Sequence, residues 1–176
     1  MNTSQWIAAE LVRRGVSHVF TLQGGYSQYL NDAIGHSSLT PIYMLTESGA
    51  SYAAAYWAKY TGQMGVLVVT SGLAQTNALS GVASAFSEYS PMMIISGDIN
   101  SDLIQHRNAD GLRQGGQQDV PIIRMCQAIV KGACAVSTAS QARFLFGLFW
   151  ERAMAEPRGP VWLDIPLDVQ KEEMPE

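Results

Sequence analysis

Apolar and polar residues recur along this chain in two periods, and the switches between them divide it into elements. From Thr3 onward, Ile7, Leu11 and Val12 fall at helical spacing with a polar residue in front and Gly15 behind, which predicts a first helix. Val16 to Leu22 is a short apolar run with β-branched and aromatic residues that leads into Gln23-Gly24-Gly25, a strand and then a tight turn. Helical spacing returns at Tyr26, Tyr29, Leu30 and Ile34. A second strand is expected at Ile42 to Leu45, delivering Glu47 to the head of a helix from about Ser48 to Tyr60. In that helix Gly49, Ala50, Ala53 and Ala54 lie on one side, a face expected to be packed, against a second subunit as one option.

Gly65 to Thr70 is apolar without alternation, as in a central parallel strand covered on both faces. The small polar segment Ser71 to Asn77 follows, then a helix through Leu79, Val82, Ala83 and Phe86. Met92 to Ser96 repeats the strand design with Gly97-Asp98 behind it. Periodicity fails from Ile99 to Asp119, which reads as one long loop, and a loop of that length in a compact domain is usually functional or disordered. Ile129 to Ala135 is a further expected strand. Thr138-Ala139-Ser140-Gln141 has capping-box spacing ahead of a helix with Ala142, Leu145, Phe146, Phe149 and Ala153 on one stripe, ending near Pro157. Gly159 to Pro166 closes the unit as a last strand. The fold expected is a three-layer α/β sandwich, with a parallel central sheet of about six strands, helices on both faces and right-handed crossovers. It occupies residues 1–170, with 171–176 a charged linker or cut end.

Composition narrows the partners. At 176 residues the chain suits one domain, and its 47% apolar and 15% charged residues describe a protein that buries much of its surface. A net charge of −4, with 11 Lys and Arg scattered along the chain, provides no basic stripe for a nucleic acid. No apolar run reaches the length of a membrane span, and Met1 to Trp6 lacks a basic region followed by an apolar core, so the cytoplasm is the expected compartment. Cys126 and Cys134 have no His or Cys at metal-ligand spacing and are expected reduced in the core. His18, His36 and His106 show no ligand or triad spacing and are expected at the surface. A nucleotide-binding loop of the Gly-x-Gly-x-x-Gly or Walker type is missing.

Glu47 is the central candidate. In open parallel sheets ligands collect beyond the carboxyl ends of the strands, where the following helix begins with free backbone N–H groups. A carboxylate there can face a ligand, or it can simply complement the helix dipole.

Several loops together resemble a known family. Val19-Phe20-Thr21-Leu22-Gln23-Gly24-Gly25 is similar to Val-Phe-Gly-x-Pro-Gly-Gly, Thr46-Glu47-Ser48-Gly49-Ala50 to His-Glu-x-x-Ala, and Thr70 to Asn77 to Thr-Ser-Gly-Pro-Gly-x-x-Asn. Leu112 to Asp119 resembles a loop that reads Phe-Gln-Glu, and Gly159 to Gln170 resembles a closing strand. All five motifs, in this order, belong to the N-terminal pyrimidine-binding domain of the thiamine-diphosphate enzymes of the acetolactate synthase, benzoylformate decarboxylase and pyruvate decarboxylase group. The resemblance implies that Glu47 hydrogen-bonds N1′ of the cofactor's aminopyrimidine, favouring the 4′-imino tautomer that removes the thiazolium C2 proton. It places Gln23, Gly24 and Gly25 along the aminopyrimidine, Thr70 and Asn77 near cofactor or substrate, and Gln118 against the reacting group. Plainer roles stand beside these: a turn for Gly24 and Gly25, a helix-start polar residue for Asn77, and a strand-end hydroxyl satisfied by backbone for Thr70.

Departures from the family pattern bear on substrate choice more than on fold. Thr46 replaces a His, Gln23 a Pro and Leu73-Ala74 a Pro-Gly, while Gln117, Asp119 and Pro121 stand in place of Phe, Glu and Asp. Asp164 and Asp168 are expected to be structural, and Lys131 is left outside the site. The Gly-Asp-Gly and Asn pattern that holds diphosphate and magnesium in relatives does not occur here. The resemblance therefore implies a partner, a diphosphate-binding domain or subunit carrying the Mg, in a homo- or hetero-oligomer acting on 2-oxo acids by decarboxylation or carboligation. The alternative is a non-catalytic interaction or regulatory protein that retains the fold.

Overall fold

The computed structural model describes residues 1–175. Six strands form one parallel sheet in the order β2-β1-β3-β4-β6-β5: β1 His18–Thr21, β2 Thr40–Tyr43, β3 Gly65–Val69, β4 Met92–Asp98, β5 Ala133–Ala135 and β6 Pro160–Pro166. Helices cover both faces, which bears out the three-layer α/β sandwich. They are α1 Thr3–Arg13, α2 Gln28–Gly35, α3 Glu47–Thr61, α4 Leu73–Ser87, α5 Ser101–Ala109, α6 Ile122–Cys126, α7 Ala139–Met154 and α8 Leu167–Lys171.

Alternate strand residues feed two cores. Val66, Val68, Met93, Ile95, Val161, Leu163 and Ile165 pack with side chains of α1, α2, α7 and α8. Leu67, Val69, Met92, Ile94 and Trp162 pack with those of α3, α4 and α6. Double coverage is why β3, β4 and β6 are buried at every position and read as unbroken apolar runs.

This arrangement parts the chain twice. Neighbours β1 and β3 send their following helices, α2 and α4, to opposite faces, and so do neighbours β4 and β6 with α6, the second helix after β4, and α8. Loops after such strand pairs open a crevice at the carboxyl end of the sheet.

Several elements differ from expectation. β2 is an edge strand that ends at Tyr43, and Leu45 beyond it is 97% exposed, because an edge strand needs no second apolar face. β5 is cut to Ala133–Ala135; the segment before it coils as α6 and one 3-10 turn. The stretch read as a single loop contains α5, which buries none of its residues and so has no apolar stripe to betray it. Its first turn is capped from a distance: Asp168 accepts hydrogen bonds from Ser101 N at 3.0 Å and Ser101 Oγ at 2.5 Å. Lys171, assigned to the tail, is the last residue of α8, and Glu176 lies outside the described residues. The small-residue side of α3 is consumed within the chain, where Ala50 and Ala54 are buried in the core shared with α4. Its exposed side carries Tyr52, Tyr56 and Tyr60 instead.

Candidate functional site

Glu47 is the first residue of α3. Thr46 caps that helix, its extended backbone letting Oγ1 accept from Gly49 N at 3.1 Å. The glutamate is thereby held, half-buried, on a helix N-terminus. Asn77, in the second turn of α4, donates from Nδ2 to Glu47 Oε2 at 2.6 Å. Among the described residues no hydrogen bond is made to Oε1, so one carboxylate oxygen is fixed and the other is available.

The loops after β1 and β3 meet at the first crevice. Gly24 lies so close to Thr70 that a Cβ there would overlap the threonine side chain, so backbone alone fits at this point. Thr70 Oγ1 accepts from Tyr26 N at 3.1 Å, fastening the turn after β1 to the end of β3. This is the strand-end hydroxyl satisfied by backbone. Gly25 is exposed and opens a single 3-10 turn ahead of α2.

Gln118 sits in left-handed backbone, at φ 61°, with its side chain in solvent. Its carbonyl lies against Gly72, where any Cβ would overlap it, and Gly72 itself has φ 69° and ψ −117°. Both constraints select glycine at 72. The next residue, Asp119, is buried, pairs with Arg107 of α5 and accepts from Gly115 N at 2.8 Å, which ties down the loop around Gln118.

The structure thus joins Glu47 to Asn77, Gly24 to Thr70, and Gln118 to the turn that follows Thr70. Gln23 stays with Gly24 and Gly25. Its amide reaches Tyr43 Oη at 3.4 Å, and all three line a cleft of about 590 Å³ with Asn31, Asp32 and Tyr43, which neither Glu47 nor Thr70 borders.

Behind these loops, at the second crevice, lies a buried polar cluster that motif matching passes over. Ser96 and Asp164 face each other in register on β4 and β6. Ser96 Oγ donates to Asp164 Oδ1 at 2.6 Å and accepts from Trp162 Nε1 at 2.7 Å. Gln75 of α4, fully buried, donates to Asp164 Oδ1 at 2.7 Å and accepts from Gly72 N at 2.8 Å. Asp98 hydrogen-bonds Asp164 in turn, so the two carboxyl groups need a proton between them. Burial, with Asp98 alongside, pushes Asp164 well above the usual carboxylate range, and burial raises Asp98 as well. A glutamine three residues after a helix-capping glycine was the sequence signal for Gln75, since that spacing brings the side chain back to the cap N–H.

A half-buried carboxylate at a helix start and a glycine turn after a neighbouring strand, both at the carboxyl end of a parallel sheet, place the candidate residues of this α/β domain where such sheets hold ligands. The chain belongs to the family described as thiamine pyrophosphate enzyme, N-terminal TPP binding domain, whose model matches residues 1–124. It is 30% identical over 173 residues to the acetolactate synthase large subunit of Buchnera aphidicola subsp. Schizaphis graminum, covering 97% of this chain and 29% of that protein. The Escherichia coli (strain K12) acetolactate synthase isozyme 2 large subunit is 29% identical over 170 residues, covering 97% of this chain and 30% of the relative. A probable acetolactate synthase large subunit of Methanococcus aeolicus is 30% identical over 174 residues, covering 99% and 28%. The chain therefore spans under a third of the length of these relatives. No helix among the described residues is long and apolar enough to cross a membrane.

Proposed function

We propose that residues 1–170 are the pyrimidine-binding half of a thiamine-diphosphate enzyme that decarboxylates or carboligates 2-oxo acids, in the manner of an acetolactate synthase. The observation that carries this reading is Glu47, with Oε2 held by Asn77 and Oε1 open. The donor set fits an aminopyrimidine: an acceptor for a protonated ring nitrogen, and at Gly25 an exposed turn residue with open space where a side chain would stand.

When bound, thiamine diphosphate supplies the electron sink for a 2-oxo acid losing carbon dioxide. Glu47 holds the proton shared with N1′, and Asn77 orients its carboxylate. Gly24 and Gly25 offer backbone groups along the ring, and Thr70 keeps that turn in place. Gln118 contacts the reacting group. Diphosphate and magnesium are held by a second domain or subunit, and the exposed tyrosine side of α3 is the surface such a partner would cover. Without a diphosphate-binding domain, residues 1–170 are inactive.

An NMR titration of the full chain with thiamine tests the reading. The amides of Gly24, Glu47 and Asn77 should shift together, and shifts scattered over the surface, or confined to the cleft between Gln23 and Tyr43 with Glu47 and Asn77 unmoved, would count against it.

A further inference from the structure

We propose that Gln75 is a positioning residue, which sets the seat of Gln118 by tying the Ser71-Gly72 turn to the carboxyl end of β6. The inference rests on the role proposed above for Gln118, but the mechanical link is visible without it.

The link has three joints. Gly72 N donates to Gln75 Oε1 at 2.8 Å, inside the molecule, so the turn cannot exchange this bond for water. Gln75 Nε2 donates to Asp164 Oδ1 at 2.7 Å and lies 3.1 Å from Ser96 Oγ, which anchors the amide to two central strands. Gly72 in turn meets the Gln118 carbonyl with no room for a side chain between them. Movement of Gln75 therefore moves Gly72, and movement of Gly72 moves Gln118. The opposite side of the Gln118 loop is held independently by Asp119 with Arg107 and Gly115 N. Gln118 is thus clamped from two directions, and Gln75 controls only one.

Asp164 serves this link as an acceptor. Oδ1 takes the bonds from Ser96 and Gln75, and the hydrogen bond to Asp98 uses the proton that the pair shares. An asparagine at 164 can do the same, its Oδ1 accepting and its Nδ2 donating to Asp98. A methionine at 75 keeps the volume and loses every bond.

The test compares wild type, Gln75→Met and Asp164→Asn. Gln75→Met should lower hydrogen-exchange protection at the Gly72 amide by about tenfold or more and shift the Gln118 amide resonance, leaving Leu67 and Ile94 protected. Asp164→Asn should keep wild-type protection at Gly72. Unchanged protection at Gly72 in Gln75→Met overturns the proposal, and so does a uniform loss that includes Leu67 and Ile94, which would mark a purely structural role. In a fusion to the remainder of the Escherichia coli isozyme 2 large subunit, kcat should fall about tenfold in Gln75→Met, with the half-saturating thiamine diphosphate concentration changed less than about threefold. A loosened Gly72 with unchanged kcat would uphold the link and overturn the assignment of Gln118 to the reacting group.

Discussion

Asn77 Nδ2 meets Glu47 Oε2 at 2.6 Å, joining the first turn of α3 to the second turn of α4 through side chains thirty positions apart. Asn77 is exposed, so this bond contributes little to folding. Its effect is on orientation. Asn77→Ala should change stability by less than about 1 kcal/mol in urea unfolding, yet reduce the thiamine-induced shift at the Glu47 amide. Asn77→Asp, which sets a second carboxylate beside the first, should reduce that shift further.

Gly72 is the tightest point of the site. An alanine there needs backbone with φ 69° and displaces the Gln118 carbonyl. Gly72→Ala should cost roughly 1–3 kcal/mol of stability and change the amide resonances of residues 115–119. A Gly72→Ala variant with wild-type stability and spectrum would contradict the packing described.

The Asp98–Asp164 pair makes stability fall as pH rises. Both carboxyls are raised in the folded state by burial, so the native chain binds more protons than the unfolded one. Their contribution is complete below the ordinary carboxylate pKa and is lost as pH climbs through the raised native values. Asp164→Asn cannot lose that proton. Urea midpoints measured from pH 4 to 9 should show wild type declining relative to Asp164→Asn toward the alkaline end, and parallel curves would contradict the assignment.

Much of this was legible in the residues. Gly65 to Val69 and Met92 to Ile95 are buried on both faces, so their apolar runs announced central strands without ambiguity. Thr46, Glu47 and Gly49 form a cap whose spacing is local, and the carboxylate could be placed from sequence. What stayed hidden depends on distant partners. α5 buries nothing and is capped by Asp168 from the far end of the chain. Asp164 is raised by its burial and by Asp98 on the neighbouring β4, and that strand pairing is not encoded in strand patterns. Gln23 was assigned by motif position, and its contact with Tyr43, across the cleft it shares with Gly24 and Gly25, depends on the pairing of β1 with β2.

The two thiols should be slow to react. Burial pushes Cys126 up to about 12 and raises Cys134 as well. At pH 8 the Cys126 thiolate is then about one part in ten thousand, so a disulfide reagent should modify it only after denaturation, with Cys134 reacting first. Rapid modification of Cys126 in the native chain would contradict its burial.

The most direct test of the central claim compares wild type with Glu47→Gln, each fused to the remainder of the Escherichia coli isozyme 2 large subunit. The side chain keeps its size and its acceptor oxygen but cannot hold the proton for N1′. With thiamine diphosphate, magnesium and pyruvate, wild type should turn over and Glu47→Gln should fall by about a hundredfold or more, the range for loss of one acid–base group. Equal turnover in the two would contradict the role of Glu47 and with it the proposed function.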